Sequence, residues 1–181
     1  RRTIARVPAS EYKPQLATLV DAPPTGDEWL HEIKYDGYRI GVRITDGRVA
    51  LYSRTGKDWT AAFPAIVDAA KTLRLRDALI DGEIAAVLAD GRTSFQALQN
   101  RFSGGAPRPE GSLVYFAFDL LHHDGARLDA LPLEERKTRL RKLLGTPTPA
   151  SVFRFADHVV GNGEALFAHA RKLRLEGIIS K

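Results

Sequence analysis

The sequence contains no cysteine and no methionine, and its apolar runs are too short to cross a membrane, which takes about 20 residues. Without cysteine, the chain can form no disulfide, no thiolate zinc site and no thiol nucleophile. No secretory signal pattern is visible. These absences exclude a membrane span and a disulfide-stabilised secreted fold, and we expect no membrane partner.

Both ends of the sequence are unusual. It opens with Arg1-Arg2-Thr3, and it stops at Lys181 directly after a short apolar run, with no turn or cap. We therefore expect a segment of a longer polypeptide that ends in the middle of a strand.

The composition is typical of one globular domain. The chain has 181 residues, of which 44% are hydrophobic and 27% charged, enough for a core of its own. The net charge of +5 and the pI of about 9.6 favour a polyanionic partner such as nucleic acid or a triphosphate, although such a charge also serves solubility alone. Two basic clusters on predicted helices are expected to form solvated faces: Arg136, Lys137, Arg139, Arg141 and Lys142, and then Arg171, Lys172 and Arg174.

Short alternating or apolar runs predict six strands, at 29–35, 38–45, 48–53, 78–88, 113–121 and 177–181. Asp-Gly pairs at 46–47, 90–91 and 124–125 lie at the ends of these runs. This dipeptide suits the type I′ turn of a hairpin, because both of its central residues need a positive φ. The sheets should therefore be largely antiparallel.

Apolar residues at helical spacing predict helices at 61–75, 133–144 and 164–175, and a shorter one at 94–102. Strands and helices are mixed without a regular βαβ rhythm, which favours an α+β fold with antiparallel sheets flanked by helices. Residues 1–28 carry four prolines and are predicted to form an extended leader packed on a domain that spans 29–181.

The string Lys34-Tyr35-Asp36-Gly37-Tyr38-Arg39 carries the clearest chemical signal. The lysine amine can attack a phosphorus atom, and the Asp-Gly corner turns the chain back beside it. The arginine then returns on the next strand, where it can hold a sugar or phosphate oxygen. Taken alone, the same string also fits a surface lysine before an ordinary turn.

Further segments follow this string in a fixed order. Arg54 lies in the basic turn 53–58, and Glu83 lies in the apolar strand, where an unpaired carboxylate is costly. Phe118 lies in the aromatic run 115–121, and Glu176 opens the last apolar run.

Together these segments resemble the motifs of the covalent nucleotidyltransferases, which comprise ATP-dependent DNA ligases, RNA ligases and mRNA capping enzymes. The Lys34 string resembles motif I, and the later segments resemble motif Ia, the D-G-E strand, motif III and motif IV. The stretches 14–20, 29–32 and 94–99 are most similar to the ligase module of bacterial end-joining ligases (ligase D). The resemblance implies the covalent nucleotidyltransferase (ATP-grasp-like) adenylation fold, truncated before motif V and the OB-fold domain.

The resemblance also implies a role for each site residue. Lys34 is the nucleophile that attacks the α-phosphate of ATP to give lysyl-AMP. Arg54 binds a DNA phosphate, and the ring of Phe118 stacks on the purine. Glu83 and Glu176 hold Mg²⁺ or Mn²⁺. The implied nucleotide-binding set is Glu32, Arg39, Glu83, Phe118 and Glu176.

The implied function is nick or break sealing in DNA repair, recombination and non-homologous end joining, with AMP passing from Lys34 to a DNA 5′-phosphate. The implied partners are nicked or broken double-stranded DNA, an OB-fold domain of the same polypeptide, a Ku-type end-binding protein and fused end-processing domains. The implied location is the bacterial cytoplasm, at the nucleoid. On this basis, the 181 residues alone are expected not to seal a nick.

Other functions share parts of this pattern. An RNA ligase or an mRNA guanylyltransferase would use the same first step with another acceptor, although the stretch 94–99 argues against the capping enzymes. A nucleic-acid-binding module could keep the fold without the chemistry. The presence of Lys34, Glu83 and Glu176 together argues against that second alternative.

Overall fold

The computed structural model describes residues 12–102, 110–148 and 150–181, so the first eleven residues of the predicted leader lie outside the described residues. Within these ranges the elements follow one another as β1 (Leu30–Ile33), β2 (Gly37–Thr45), β3 (Arg48–Ser53), α1 (Pro64–Thr72), β4 (Asp77–Val87), α2 (Phe95–Asn100), β5 (Ser112–His123), β6 (Ala126–Arg127), α3 (Leu133–Leu144), β7 (Phe153–Phe155), β8 (His158–Val160), α4 (Gly163–Lys172) and β9 (Ile178–Ser180).

The strands form two sheets. The larger sheet has the order β3-β2-β4-β5-β6, and each of these neighbours pairs antiparallel. The smaller sheet has the order β8-β1-β9 and is also antiparallel. The prediction of largely antiparallel sheets flanked by helices is therefore confirmed. It missed one parallel pair, because β7 joins β5 in the same direction.

Two of the three Asp-Gly pairs form the predicted kind of turn. Asp46 and Gly47 have φ of 48° and 75° between β2 and β3, and Asp124 and Gly125 have φ of 47° and 82° between β5 and β6. Both residues of a type I′ turn need this left-handed conformation. At the third pair only Gly91 has a positive φ, of 85°, and the turn is of another kind, closed by hydrogen bonds from the Leu88 N–H to the Arg92 carbonyl oxygen and from the Gly91 N–H to the Leu88 carbonyl oxygen.

The hydrophobic core lies on one face of the larger sheet. Alternation along β2 turns Ile40, Val42 and Ile44 to this face, where α1 and α2 cover the sheet. All three side chains are buried, and full burial of such a side chain contributes about 1.5–3 kcal/mol. Arg39, one residue before Ile40, therefore lies on the opposite face, where it borders the same cleft as residues of the smaller sheet.

Among the described residues all four predicted helices are present, and three of them differ at the ends. Residues 133–144 are helical as predicted. The first predicted helix is shorter, because Pro64 stands at its amino-terminal turn and the chain before it forms a short 3₁₀ turn at Thr60–Ala62. Strands β6, β7 and β8 were not predicted, since two or three residues carry too little periodicity to be recognised.

The described part of the leader, from Tyr12 onward, contains no helix or strand before β1. The ring of Tyr12 is buried against β2, where Gly41 leaves room for it: a Cβ at that position would lie 2.8 Å from the ring. Among the described residues, no helix is long and apolar enough to span a membrane.

Candidate active site

A cleft of about 910 Å³ opens between the two sheets. Its walls come from β1 and β9 on one side and from β2, β3, β4 and β5 on the other. Six of the seven residues assigned to the site from the sequence line it: Glu32, Lys34, Arg39, Arg54, Glu83 and Phe118. The seventh, Glu176, reaches it through contact with Lys34.

Lys34 lies in the connection between β1 and β2. Its backbone N–H donates a hydrogen bond of 3.0 Å to the carbonyl oxygen of Gly177, which ties this connection to the start of β9. Its ammonium forms an ion pair with the Glu176 carboxylate, and the two side chains are 41% and 39% exposed. An exposed pair of this kind contributes little to stability, so the amine can leave it at low cost.

The Asp36-Gly37 corner is held by the segment that leads into α2. The Asp36 carboxylate accepts a hydrogen bond of 3.0 Å from the backbone N–H of Phe95, and the Asp36 N–H donates one of 3.1 Å to the Thr93 hydroxyl. At Gly37, a Cβ would lie 2.1 Å from a carbonyl oxygen of β4. Glycine is therefore required here, and the corner is fixed beside Lys34.

Arg39 is clamped at the wall of the cleft. Its guanidinium donates two hydrogen bonds to the Asp81 carboxylate, of 3.2 and 2.8 Å, and a third of 2.5 Å to the carbonyl oxygen of Gln15 in the leader. Burial lowers the pKa of Arg39, but the hydrogen bonds and the charge of Asp81 raise it on balance above its ordinary value. Arg39 is thus a fixed positive charge facing the cleft.

The leader also reaches Asp81 directly. The Tyr12 hydroxyl donates a hydrogen bond of 2.6 Å to the same carboxylate, and both side chains are buried. We expect Tyr12→Phe to lower the free energy of unfolding by about 1–2 kcal/mol, because a buried bond to a charged acceptor is lost. Urea denaturation of the two proteins measures this difference, with Tyr52→Phe as a control on β3. An unchanged midpoint would contradict the anchoring role of Tyr12.

Glu83 lies opposite Arg39 in the pairing of β2 with β4. Burial raises the pKa of the Glu83 carboxyl to about 8, although the charges of Arg39 and Lys34 lower it in part. The group therefore binds a proton near neutral pH in the absence of further positive charge. A cation placed beside it would favour the ionised form.

Close packing explains why the middle position of the D-G-E segment is a glycine. A Cβ on Gly82 would lie 2.5 Å from the ring of Tyr115 and 2.6 Å from the carbonyl oxygen of Phe116. The Tyr115 hydroxyl lies 2.8 and 2.9 Å from the carbonyl oxygens of Ile40 and Ile80, so the ring crosses this part of the sheet. Glu83 is consequently held on a rigid strand.

The carboxylates near Lys34 suit a divalent cation that takes its remaining ligands from outside the protein. In residues 12–102, 110–148 and 150–181, no group of three or more His, Cys, Asp or Glu side chains could hold a metal ion by itself. Glu83 and Glu176 both interact with Lys34. A hard cation such as Mg²⁺ commonly takes one or two carboxylates and completes its shell with phosphate oxygens and water. These two residues fit such a site.

Phe118 faces the cleft and is only partly buried, so it is not a core residue. The Arg39 guanidinium lies 5.3 Å from the centre of its ring, and the Lys181 ammonium lies 4.2 Å from it. Lys181 also donates a hydrogen bond of 2.8 Å to Oε2 of Glu32. The Lys181 ammonium thus contacts both the aromatic ring and the Glu32 carboxylate.

Lys137 corrects a prediction, because it was assigned to a solvated basic face and is 0% exposed. Its ammonium donates hydrogen bonds of 2.6 Å to Oε1 of Glu32, 3.3 Å to the carbonyl oxygen of Phe118 and 3.0 Å to that of Ala156. Its neighbour Arg136 also turns inward and forms two hydrogen bonds with the Asp119 carboxylate.

A signal for this inward position was present in the sequence. Lys137 stands four residues after Leu133 and three before Leu140, on the apolar stripe of α3. Burial lowers the pKa of Lys137, and the charge of Glu32 offsets part of that effect. The prediction treated the whole basic cluster as one solvated face of α3. Helical spacing instead divides its residues between the apolar face and the solvated face.

Arg54 is exposed in the turn after β3. The turn is closed by hydrogen bonds of 2.9 Å from the Ser53 N–H to the Lys57 carbonyl oxygen and from the Gly56 N–H to the Ser53 carbonyl oxygen. Gly56 has a φ of 79°, which favours glycine. Arg54 therefore extends from a defined turn at the rim of the cleft, where a long side chain can reach a phosphate outside it.

Another cavity, of about 900 Å³, lies at one end of the larger sheet. It is lined by residues that include Arg43, Asp77 and His122, and it contains none of the residues assigned to the site from the sequence. Its charged groups are largely paired with one another: Arg43 and His122 both contact the Asp77 carboxylate, at 2.8 and 2.7 Å.

Residues 10–181 match the family model described as the ATP dependent DNA ligase domain. The chain is 42% identical to the multifunctional non-homologous end joining protein LigD of Pseudomonas aeruginosa, over 97% of this chain and 20% of that protein. It is 33% identical to the SPbeta prophage-derived DNA ligase-like protein LigB of Bacillus subtilis, over 93% of this chain and 59% of that protein. The chain therefore spans about a fifth of the length of the first relative and about three fifths of the second.

Solved structures show the same fold. The mycobacterial DNA ligase D complexed with ATP and MES superposes with a TM-score of 0.79 at 31% identity, covering 94% of this chain and 54% of that one. The ligase domain of Mycobacterium tuberculosis LigD gives a TM-score of 0.70 at 32% identity, covering 84% of this chain and 48% of that one. The predicted nucleotidyltransferase fold is confirmed by this likeness.

Proposed function

This chain belongs to the family of ATP-dependent DNA ligase domains, and on that premise we propose that Lys34 becomes adenylylated by ATP and passes AMP to DNA. The observation that carries the proposal is the cleft itself. It brings a lysine amine together with an arginine, an aromatic ring and two carboxylates from strands that are far apart in the sequence. A nucleotide with its α-phosphate at Lys34 would meet each of these groups.

In the first step, the neutral amine of Lys34 attacks the α-phosphorus of ATP. The new N–P bond forms as the bond to pyrophosphate breaks, and the amine loses its proton. The ion pair with Glu176 must part before the attack, and the exposure of that pair makes the separation cheap. Catalysis of this step rests mainly on position and on charge.

The remaining residues bind and orient the nucleotide. Arg39, fixed by Asp81, presents a positive charge to the ribose or phosphate oxygens, and Phe118 offers a face on which the purine stacks. The carboxylate of Glu32, which only accepts hydrogen bonds when ionised, suits the 6-amino group of adenine. Mg²⁺ or Mn²⁺, held by Glu83 and Glu176, would supply positive charge to the triphosphate.

In the second step, the 5′-phosphate of a broken strand attacks the phosphorus of lysyl-AMP, and the P–N bond breaks. A 3′-hydroxyl then displaces AMP and seals the strand. Because a LigD protein of Pseudomonas aeruginosa is 42% identical to this chain, we place the activity in non-homologous end joining. Its proposed partners are nicked or broken DNA, a Ku-type protein, fused end-processing domains and an OB-fold domain of the same polypeptide.

We further propose that residues 1–28 form the leader and that 29–181 form the adenylation domain. Of the leader, Tyr12 and Gln15 contact the domain through Asp81 and Arg39. The leader would then complete the nucleotide cleft from outside the sheets. We also propose that the protein acts on DNA at the nucleoid of a bacterial cell.

Intact-mass analysis tests the proposed function. Separate samples of the protein are incubated with Mg²⁺ and either ATP or GTP. The mass of each product is measured before and after nicked DNA is added. We expect one added AMP with ATP, no adduct with GTP, and loss of the adduct on DNA. An adduct formed only with GTP would identify a capping activity, and an AMP adduct that persists on DNA but leaves on RNA would identify an RNA ligase.

Arg54 is expected to act on DNA and not on ATP. Because it lies at the rim of the cleft in an exposed turn, Arg54→Ala should leave AMP binding unchanged and weaken binding of nicked DNA about 3–10-fold, with a shallower salt dependence. Fluorescence anisotropy measures both. Arg139→Ala, on the exposed side of α3, is the matched control. Weaker AMP binding with unchanged DNA binding would assign Arg54 to the nucleotide.

A further inference from the structure

The buried ammonium of Lys137 has all of its hydrogen-bond donors satisfied. An ammonium has three N–H groups, and those of Lys137 go to Glu32, to the carbonyl oxygen of Phe118 and to that of Ala156. These acceptors come from β1 of the smaller sheet, from β5 of the larger sheet and from the link between β7 and β8. One side chain therefore ties together the two walls of the cleft.

Stability alone is a weak explanation for this arrangement. Replacing a buried ion pair by apolar groups of similar volume is often neutral or stabilising, because two charges must lose their water. Lys137 is 0% exposed and Glu32 is 2% exposed. Two of the groups that Lys137 holds, the Glu32 carboxylate and the Phe118 backbone, belong to residues that line the cleft. A role in the cleft therefore accounts for the buried charge of Lys137.

Lys181 marks a position between the carboxylate and the ring. Its ammonium lies 2.8 Å from Oε2 of Glu32 and 4.2 Å from the centre of the Phe118 ring. A flat ring stacked on Phe118 could place an amino N–H at the same carboxylate oxygen. The incoming group is neutral where Lys181 is charged, so Lys137 would then be the cation that remains on Glu32.

We propose that Lys137 is a positioning residue that determines base selectivity, by holding the Glu32 carboxylate in place as the acceptor for the 6-amino group of a purine nucleotide. The proposal rests on the function proposed above. An ionised carboxylate accepts a bond from the amino group of adenine and repels the 6-oxo oxygen of hypoxanthine. Without Lys137, Oε1 of Glu32 loses its buried hydrogen-bond donor, and the carboxylate is no longer held in position for that amino group.

A purely structural role for Lys137 makes a different prediction. If Lys137 only holds the walls of the cleft in place, its replacement lowers the affinity for all nucleotides by a similar factor, because they all bind in the same cleft. If it positions the Glu32 carboxylate, its replacement weakens binding of the 6-amino nucleotide and spares binding of the 6-oxo nucleotide, which makes no hydrogen bond to that carboxylate. The ratio of the two affinities therefore separates the roles.

The test uses AMP and IMP, which share the ribose and the phosphate and differ at position 6 of the purine. Dissociation constants are measured by calorimetry for the unaltered chain and for Lys137→Met and Lys137→Gln. We expect the unaltered chain to prefer AMP by about 10–100-fold, as for a hydrogen bond to a charged group. In both variants the preference should fall to within about threefold, mainly through loss of AMP affinity. Lys142→Met, on the exposed side of the same helix, should leave the preference unchanged.

Thermal denaturation establishes that each variant is folded under the binding conditions. If both single variants unfold, AMP and IMP affinities are compared in the double variant Glu32→Gln/Lys137→Met, which removes both charges. The preference for AMP should be lost in this variant too. An AMP preference that survives in any folded variant of Lys137 overturns the proposal. Failure of the unaltered chain to bind either nucleotide would instead contradict the proposed function, and the two failures are thus distinguishable.

Discussion

Lys34→Ala is expected to abolish the AMP adduct completely. Lys34 is placed in the cleft with its amine exposed, and its replacement removes the only atom proposed to bond to phosphorus. The adduct is measured by intact mass after incubation with ATP and Mg²⁺, for the 181 residues and for a fusion with an OB-fold ligase domain. Peptide mapping of the unaltered protein should place AMP on Lys34.

Two further variants make the Lys34 test specific. Lys34→Arg should also fail, because a guanidinium stays protonated and is a poor nucleophile. Lys71→Ala, which removes an exposed lysine of α1 that pairs with Asp68, should keep the adduct. AMP found on a lysine other than Lys34, or retained after Lys34→Ala, would show that the nucleophile has been assigned wrongly.

Glu83→Gln is expected to have two opposite effects. The amide keeps the shape of the carboxyl and loses its charge, so transfer of AMP to Lys34 should slow by about 10²–10³-fold, the scale for removal of one electrostatic contribution to a transition state. In the absence of nucleotide and metal, the same change should make the protein more stable. If Glu83 only supported the fold, Glu83→Gln would not slow AMP transfer while making the protein more stable.

The gain in stability should depend on pH. The pKa of Glu83 is raised to about 8 in the folded protein, above the ordinary value of 4.5. Between these values the folded state holds a proton that the unfolded state has lost, so stability falls as the pH rises through this window. At about pH 9 we expect Glu83→Gln to be more stable by about 2–4 kcal/mol, and at about pH 5 to differ little.

Urea denaturation at several pH values measures this dependence. Glu164→Gln, at an exposed position on α4, controls for the substitution itself. An equal effect of Glu83→Gln at both ends of the pH range would mean that burial does not raise the pKa of Glu83. Unchanged AMP transfer at saturating Mg²⁺ would assign Glu83 a structural role.

The fold class followed from local features of the sequence. Alternation along residues 38–45 and 48–53, with Asp46-Gly47 between them, defined a hairpin that is present with the expected turn. The helix at 133–144 was predicted at its observed bounds. Such features were predictable because the periodicity of a strand or helix and the φ preference of a turn depend only on nearby residues.

The chain also carried the candidate site residues in a recognisable order, and the structure brings them to one cleft. Their partners were not predictable. Lys34 pairs with Glu176, 142 positions away, and Lys137 pairs with Glu32, 105 positions away. Contacts across such separations depend on how the two sheets are placed relative to each other, and no local pattern encodes that placement.

By itself, the sequence therefore determined the class of fold, the hairpins and the candidate nucleophile. Tertiary structure alone decided that β7 runs parallel to β5, that burial raises the pKa of Glu83, and that Lys137 is buried against Glu32. The physical reason is the same in each case. Strand order, desolvation and charge pairing are properties of the space that distant segments enclose together, whereas turn and helix signals are properties of the segment that carries them.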